Sequence, residues 1–168
     1  MPENLEVKAS VSSLGSATAT CRRIHARKVA ILKQTDTYFH VHKGRLKLRE
    51  NNKKKFELIY YLRDNTRGSR YSDYVVIPLE EPRMMKSVCT TLFGVSAIVK
   101  KSRVLYLYKN ARIHLDTVRG LGLFVEFEVL VKHGKKQAKL LMDLLLREFG
   151  LTTQLTIPGS YADMLQMK

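Results

Sequence analysis

The chain has no tryptophan, only two cysteines and four prolines, and no apolar run that approaches membrane-spanning length. Without Trp, stacking on a base or heteroaromatic ring would fall to Tyr or Phe. Cys21 and Cys89 form no CxxC or other metal-ligand spacing, and a reducing compartment is the simpler reading. The opening MPENLEVKAS is charged from the start and lacks an apolar signal core, so the expectation is a soluble, cytoplasmic protein with no membrane partner. Acids are scarce: 15 Asp and Glu stand against 30 Lys and Arg, a formal net charge of +15. That excess implies an anionic partner, whether nucleic acid, membrane headgroups or a phosphorylated small molecule. Apolar residues make up 45% of the chain, which argues against wholesale disorder, and 168 residues suit one domain spanning 1–168.

What is present is most legible between Arg112 and Val131, RIHLDTVRGLGLFVEFEVLV. Arg112, His114 and Asp116 alternate with Ile113 and Leu115, and Glu126 and Glu128 alternate with Val125, Phe127 and Val129 across a Gly120–Gly122 turn. A period of two places the charges on one face of each strand and the apolar residues on the other.

Elsewhere, Leu5, Val7 and Ala9 alternate with Glu6 and Lys8 in an opening strand. Ile24, Lys28, Ile31 and Leu32 fall at helical spacing and predict a helix over Ala17–Lys33. Strands are expected at Tyr38–Val41 and Leu46–Arg49, joined at Lys43–Gly44, then at Phe56–Arg63 and Tyr71–Ile77. Pro82–Phe93 reads as a helix with Met85, Val88, Cys89 and Leu92 on one face, ended by Gly94. Val95–Val99 and Arg103–Tyr108 resume strand character, and Lys135–Phe149 is a helix with an Ala138, Leu141, Met142 and Leu145 stripe. The tail from Leu151 is mixed, broken at Pro158–Gly159. About eight strands and three helices, with hairpin-like connections, give an α+β class with a mostly antiparallel sheet.

The alternating charges recur along the chain: Glu6/Lys8, Arg45/Lys47/Arg49, Glu57 with Arg63, Lys101/Arg103, Arg112/His114/Asp116 and Glu126/Glu128. A solvated sheet face accounts for alternation, but Ser, Thr, Asn and Gln would then be expected among the charges. A closed antiparallel barrel with a polar, water-filled interior also accounts for it. Guanidinium and ammonium groups clamp phosphoryl oxygens, and clustered carboxylates need a hard cation such as Mg²⁺ to sit together. The mixture fits a metal-dependent polyphosphate site better than a plain nucleic-acid patch.

Several segments resemble the CYTH superfamily of triphosphate tunnel metalloenzymes, in its small, single-domain, cyclase-like or thiamine-triphosphatase-like branch. They are NLEVKA (4–9), QTDTYF (34–39), KGRLKLRE (43–50), LIYYLR (58–63), VKKSR (99–103), RIHLDTVRGLGLFVEFEV (112–129) and SYADML (160–165). The resemblance implies an eight-stranded antiparallel barrel open as a polar tunnel, with helices packed outside. It implies that Lys8, Lys47, Arg49, Arg63, Lys101, Arg103 and Arg112 bind substrate phosphates. Glu6, Asp116, Glu126 and Glu128 would hold Mg²⁺ or Mn²⁺, with Glu6, Glu126 and Glu128 catalytic. The first acid of the family's ExExK motif is Asn4 here, which brings no charge to a metal.

The implied activity is divalent-metal-dependent hydrolysis of a small-molecule triphosphate: inorganic tripolyphosphate, thiamine triphosphate or a nucleoside triphosphate. A class IV-type adenylate cyclase, converting ATP to cyclic AMP and pyrophosphate, is the alternative. A non-catalytic polyphosphate or nucleic-acid binding module is the third, favoured by Asn4 and by Arg22, Arg23 and Arg27, though no RRM, KH or zinc motif supports a nucleic-acid partner. His114 suits a phosphate contact, acid–base chemistry or a structural hydrogen bond; His40 and His42 read as ordinary strand or rim residues. The expected oligomeric state is a monomer or a homodimer.

Overall fold

In the computed structural model, which describes residues 1–167, eight antiparallel strands close into one barrel. The strands are β1 (Glu3–Val11), β2 (Arg27–Phe39), β3 (Arg45–Asn51), β4 (Lys55–Arg63), β5 (Arg70–Pro78), β6 (Val95–Tyr108), β7 (Ala111–Val118) and β8 (Gly122–Leu130). Around the barrel the order is β1-β5-β4-β3-β2-β6-β7-β8. Closure leaves no exposed sheet edge. Four helices pack on it: α1 (Gly15–Arg23), α2 (Pro82–Phe93), α3 (Lys135–Glu148) and α4 (Tyr161–Gln166). No helix among the described residues is long and apolar enough to cross a membrane.

The barrel is polar inside and apolar outside over much of its wall. Leu5, Val7, Ile113, Leu115, Val125, Phe127 and Val129 form a buried layer with Ala17 and Cys21 of α1 and Ala138, Leu141, Met142 and Leu145 of α3. Each fully buried Leu or Met contributes about 1.5–3 kcal/mol. Packing therefore holds α3, since Gly134 at its N-cap offers no capping side chain. A second cluster joins Tyr161 and Ala162 of α4 to Tyr38, Tyr61, Val99, Val118 and Phe124, so α4 lies across one end of the barrel. α4 starts at a capping box, with Ser160 accepting from the Asp163 N–H while the Asp163 carboxylate accepts from the Ser160 N–H.

Three local expectations are corrected. The helix predicted for Ala17–Lys33 stops at Arg23, because His25 takes a left-handed φ of 58° and the chain turns into β2. The outer half of β2 pairs with β6 and leaves Val29 and Ile31 exposed, so it lacks the burial contrast that marks a strand. Val95–Tyr108 is one strand rather than two, since the Lys100–Lys101 pair that reads as a break alternates between the outside and the inside of the wall. On α2, Cys89 is buried with Met85 packed beside it, whereas Val88 and Leu92 face solvent at 47% and 68% exposure. The expected turn at Gly44 is real: φ is 73°, and a Cβ there would stand 2.7 Å from the Tyr61 carbonyl oxygen.

Candidate active site

Alternation delivers the inward side chains of all eight strands to one cavity of about 280 Å³. Its wall carries Lys8, Lys47, Arg49, Arg63, Lys101, Arg103 and Arg112 together with Glu6, Glu57, Glu126 and Glu128. All seven expected phosphate-binding residues therefore line one space, as do three of the four expected metal ligands. Asp116 is the exception. It is fully buried, accepts two bonds from Arg103 at 2.7 and 2.6 Å and one from the Tyr161 hydroxyl at 2.8 Å, and is absent from the cavity lining.

The acids are placed by register. Glu6 stands opposite Glu128 across β1–β8, and Lys8 opposite Glu126; across β7–β8, His114 faces Glu126 and Arg112 faces Glu128. Donor atoms of His114, Glu126 and Glu128 lie within 4.8 Å of one another, a group able to hold a cation. The set offers a divalent cation two carboxylate oxygens and one imidazole nitrogen.

Each carboxylate already has cationic neighbours. Glu126 is 3.1 Å from Lys8 Nζ and 2.7 Å from Arg103 Nη2; Glu6 accepts from Arg63 Nη1 at 2.6 Å; Glu128 is 3.1 Å from Arg112 Nε. Burial alone would raise the Glu126 carboxyl, yet Lys8, His114 and Arg103 hold it well below the usual range. Glu128 is also lowered, with His114 and Arg112 overcoming its burial. Burial, aided by Arg103, lowers His114, which favours the neutral, ligand-competent imidazole. Burial and the adjacent Arg103 bring the Lys101 ammonium down to about 7.

Two residues escaped the sequence reading. Asp36 of β2 binds Arg49 through both carboxylate oxygens at 2.7 Å, and its Oδ2 also lies 3.1 Å from Lys47 and 3.4 Å from Lys101. Those cations overcome burial and keep its carboxyl well below the usual range. Tyr161 holds Asp116 and presents its ring to Lys8 and Lys101, with centroids 3.9 and 5.1 Å away. No local pattern marks Asp36 in the sequence, since its neighbours two residues away, Gln34 and Tyr38, are uncharged.

A CYTH domain model matches residues 3–161, and the chain belongs to the CYTH domain family. Among solved structures it resembles the PH1012 protein of Pyrococcus horikoshii OT3, at 23% identity and TM-score 0.86, over 95% of this chain and 98% of that one. A candidate adenylate cyclase from Vibrio parahaemolyticus matches at 16% identity and TM-score 0.78, over 97% of each chain. HpAC1 of Hippeastrum, a candidate adenylyl cyclase with a dominant triphosphatase activity, matches at 12% identity and TM-score 0.71, over 100% of this chain and 97% of that one. At these identities the likeness is one of fold. No curated protein matches.

Proposed function

We propose that this chain is a divalent-metal-dependent hydrolase of small molecules bearing a triphosphate. The observation that carries the reading is one cavity wall with seven basic side chains beside the Glu126, Glu128 and His114 group. Lys47, Arg49, Lys101 and Arg103 hold phosphoryl oxygens and neutralise charge that grows as the anhydride bond breaks. Glu126 and Glu128, with Glu6 across the β1–β8 ladder and His114 beside them, would hold Mg²⁺ or Mn²⁺. The bound cation supplies charge neutralisation at the phosphates. Asp116, fully engaged by Arg103 and Tyr161, acts by fixing Arg103 rather than as a ligand.

Water attacks the terminal phosphorus, its proton passes to a wall carboxylate, and the electron pair of the broken P–O bond leaves on the bridging oxygen. Hydrolysis is favoured over cyclisation because the rings of Tyr38, Tyr61 and Tyr161 already carry Lys47, Arg63 or Lys8, leaving Tyr74 as the lining aromatic without a cation over it among the described residues.

The test is turnover of tripolyphosphate, thiamine triphosphate and ATP with Mg²⁺ or Mn²⁺, all products separated, for the wild type and Glu126→Gln. Orthophosphate release that falls at least 100-fold in Glu126→Gln is expected. Cyclic AMP with pyrophosphate would replace hydrolysis by the cyclase reading. Folded protein with no product from any substrate would defeat the hydrolase assignment for those three.

A further inference from the structure

The tunnel does not account for the charge of the chain. Seven cations line its wall, and six carboxylates, Glu6, Glu57, Glu126, Glu128, Asp36 and Asp116, line it or stand behind it, so nearly all of the net +15 lies elsewhere. A second depression, of about 1160 Å³, lies on the outer wall between the start of α2, the β3–β4 turn and the outward faces of β2 and β6. It shares Lys101 alone with the tunnel lining. Lys33, Lys53, Arg83, Lys86, Lys100 and Arg119 line it, against two acids, Glu50 and Glu81. Among the described residues none of these six cations makes an ion pair. Exposed cations elsewhere do: Arg23 with Glu148, Lys55 with Glu57, Lys135 with Glu3 and Lys139 with Asp143.

The backbone holds these charges together. Asp36, Lys101 and Arg103 point into the barrel, so Lys33, Thr35, Lys100 and Ser102 point out. The β2–β6 register sets Thr35 opposite Lys100 and Lys33 opposite Ser102. Asn52 and Lys53 take left-handed φ values of 51° and 56° in the β3–β4 turn, and that turn is pinned to β2. The Lys33 N–H donates to Asn52 Oδ1 and the Asn52 N–H to the Lys33 carbonyl, both at 2.8 Å. The Arg119 N–H likewise donates to the Lys100 carbonyl at 2.9 Å. Like charges kept this close without acids weaken a fold unless a ligand offsets them. Phe56, also in the lining, is half-buried, yet it belongs to none of the buried apolar clusters and to neither ring pair among the described residues.

We propose that this outer groove binds single-stranded nucleic acid, its six cations following the phosphate backbone and Phe56 stacking on a base. Thr35 and Ser102 offer hydroxyls to phosphate or sugar, and Glu50 and Glu81 accept base N–H groups. A strand fits better than a duplex, because the cations line a depression, whereas duplex readers commonly project a helix or ribbon into a groove of the DNA. A bilayer fits worse on the same ground. It is flat, and the exposed apolar side chains of α2, Met84, Val88 and Leu92, fall outside this lining. The site is separate from the tunnel and requires neither a metal nor turnover there.

The experiment is fluorescence anisotropy of the full chain with an internally labelled oligouridylate of about 16 nucleotides, in EDTA. The strand carries hydroxyls at both ends, so that no terminal phosphate addresses the tunnel. Wild type should bind it with a log–log salt slope of about −4, all six cations engaging. Combined Lys33→Gln, Lys86→Gln and Lys100→Gln should weaken binding at least tenfold and flatten the slope by about 2. Combined Arg22→Gln, Lys132→Gln and Lys136→Gln, which removes the same charge on or beside α1 and α3, should stay within threefold of wild type. Phe56→Leu should weaken binding at least fivefold with the slope unchanged, and thermal melts confirm the fold of each variant. No binding by wild type, equal losses in the two triple variants, unchanged affinity in Phe56→Leu, or equal affinity for the strand annealed to oligoadenylate would overturn the site. Tighter binding to phosphatidylserine vesicles, abolished in the groove variant, would overturn it in favour of a membrane surface.

Discussion

Asp36 and Arg49 face each other across the β2–β3 ladder, and both carboxylate oxygens of Asp36 meet the guanidinium at 2.7 Å. Arg49 lines the cavity while Asp36 does not, so the acid acts behind the wall, fixing the direction in which three cations point. Removing only its charge leaves the largely buried Lys47, Arg49 and Lys101 without their common partner. Asp36→Asn should cost about 3–5 kcal/mol, read from denaturant unfolding. Wild-type stability in that variant would show the acid to be dispensable.

Lys101 sets a pH dependence of opposite sign for stability and for anion binding. Its folded value is about 7, below the 10.5 of an ordinary lysine, under burial and Arg103, partly opposed by Asp36 and Asp116. Between those values the unfolded chain binds a proton that the folded chain has released, so this group's contribution makes stability rise with pH across about 7 to 10.5. Grip on a phosphate needs the charged form and falls as pH rises through 7. Tripolyphosphate affinity should drop several-fold more between pH 6 and 8 for wild type than for Lys101→Met, and parallel profiles would refute the assignment.

Tyr161→Phe keeps the ring against Phe124, whose centroid is 5.0 Å away, but deletes the hydroxyl that donates to Asp116. Loss of a hydrogen bond to a buried carboxylate should cost about 1.5–3 kcal/mol. The midpoint of thermal unfolding would fall accordingly. The Asp116 carboxyl, held at about 2 by Arg103 despite burial, against an ordinary 3.8, stabilises the fold above pH 3.8. That contribution is lost as pH falls through 2, so an acid titration of wild type should unfold in this region.

Cys21 sits on the buried face of α1 in the outer core, and burial pushes its thiol up to about 11. Labelling by a thiol reagent at pH 7.5 should wait on opening of the helix and accelerate at least 100-fold in denaturant. Rapid labelling of the folded chain at Cys21 would contradict its packing.

The strands that carry charge on one face and β-branched or aromatic residues on the other could be read directly, and β7 and β8 are the clearest instances. Their inward charges became a tunnel only by the CYTH resemblance, since an open sheet shows the same alternation. Asp36 was hidden because its three partners lie on β3 and β6, 11 to 65 residues away, and one acid in QTDTYF carries no local signal. α2 was misread in phase because its sequence offers two apolar stripes, and only packing against Phe39, Leu46 and Leu48 selects Met85 and Cys89. Asp116 looked identical in pattern to Glu126, yet Tyr161, arriving from the chain's far end, engages it.

On the proposed reading, the carboxylate–cation pairs that line the tunnel make it an ion exchanger. A triphosphate entering it would draw Lys8, Arg63, Arg103 and Arg112 away from Glu6, Glu126 and Glu128, to which they are now bound. The stripped carboxylates would then face one another with their own charge exposed, and their appetite for a divalent cation would rise with the anion's arrival. Metal and triphosphate would thus enter as mutually dependent guests, each raising the affinity of the other by the same factor.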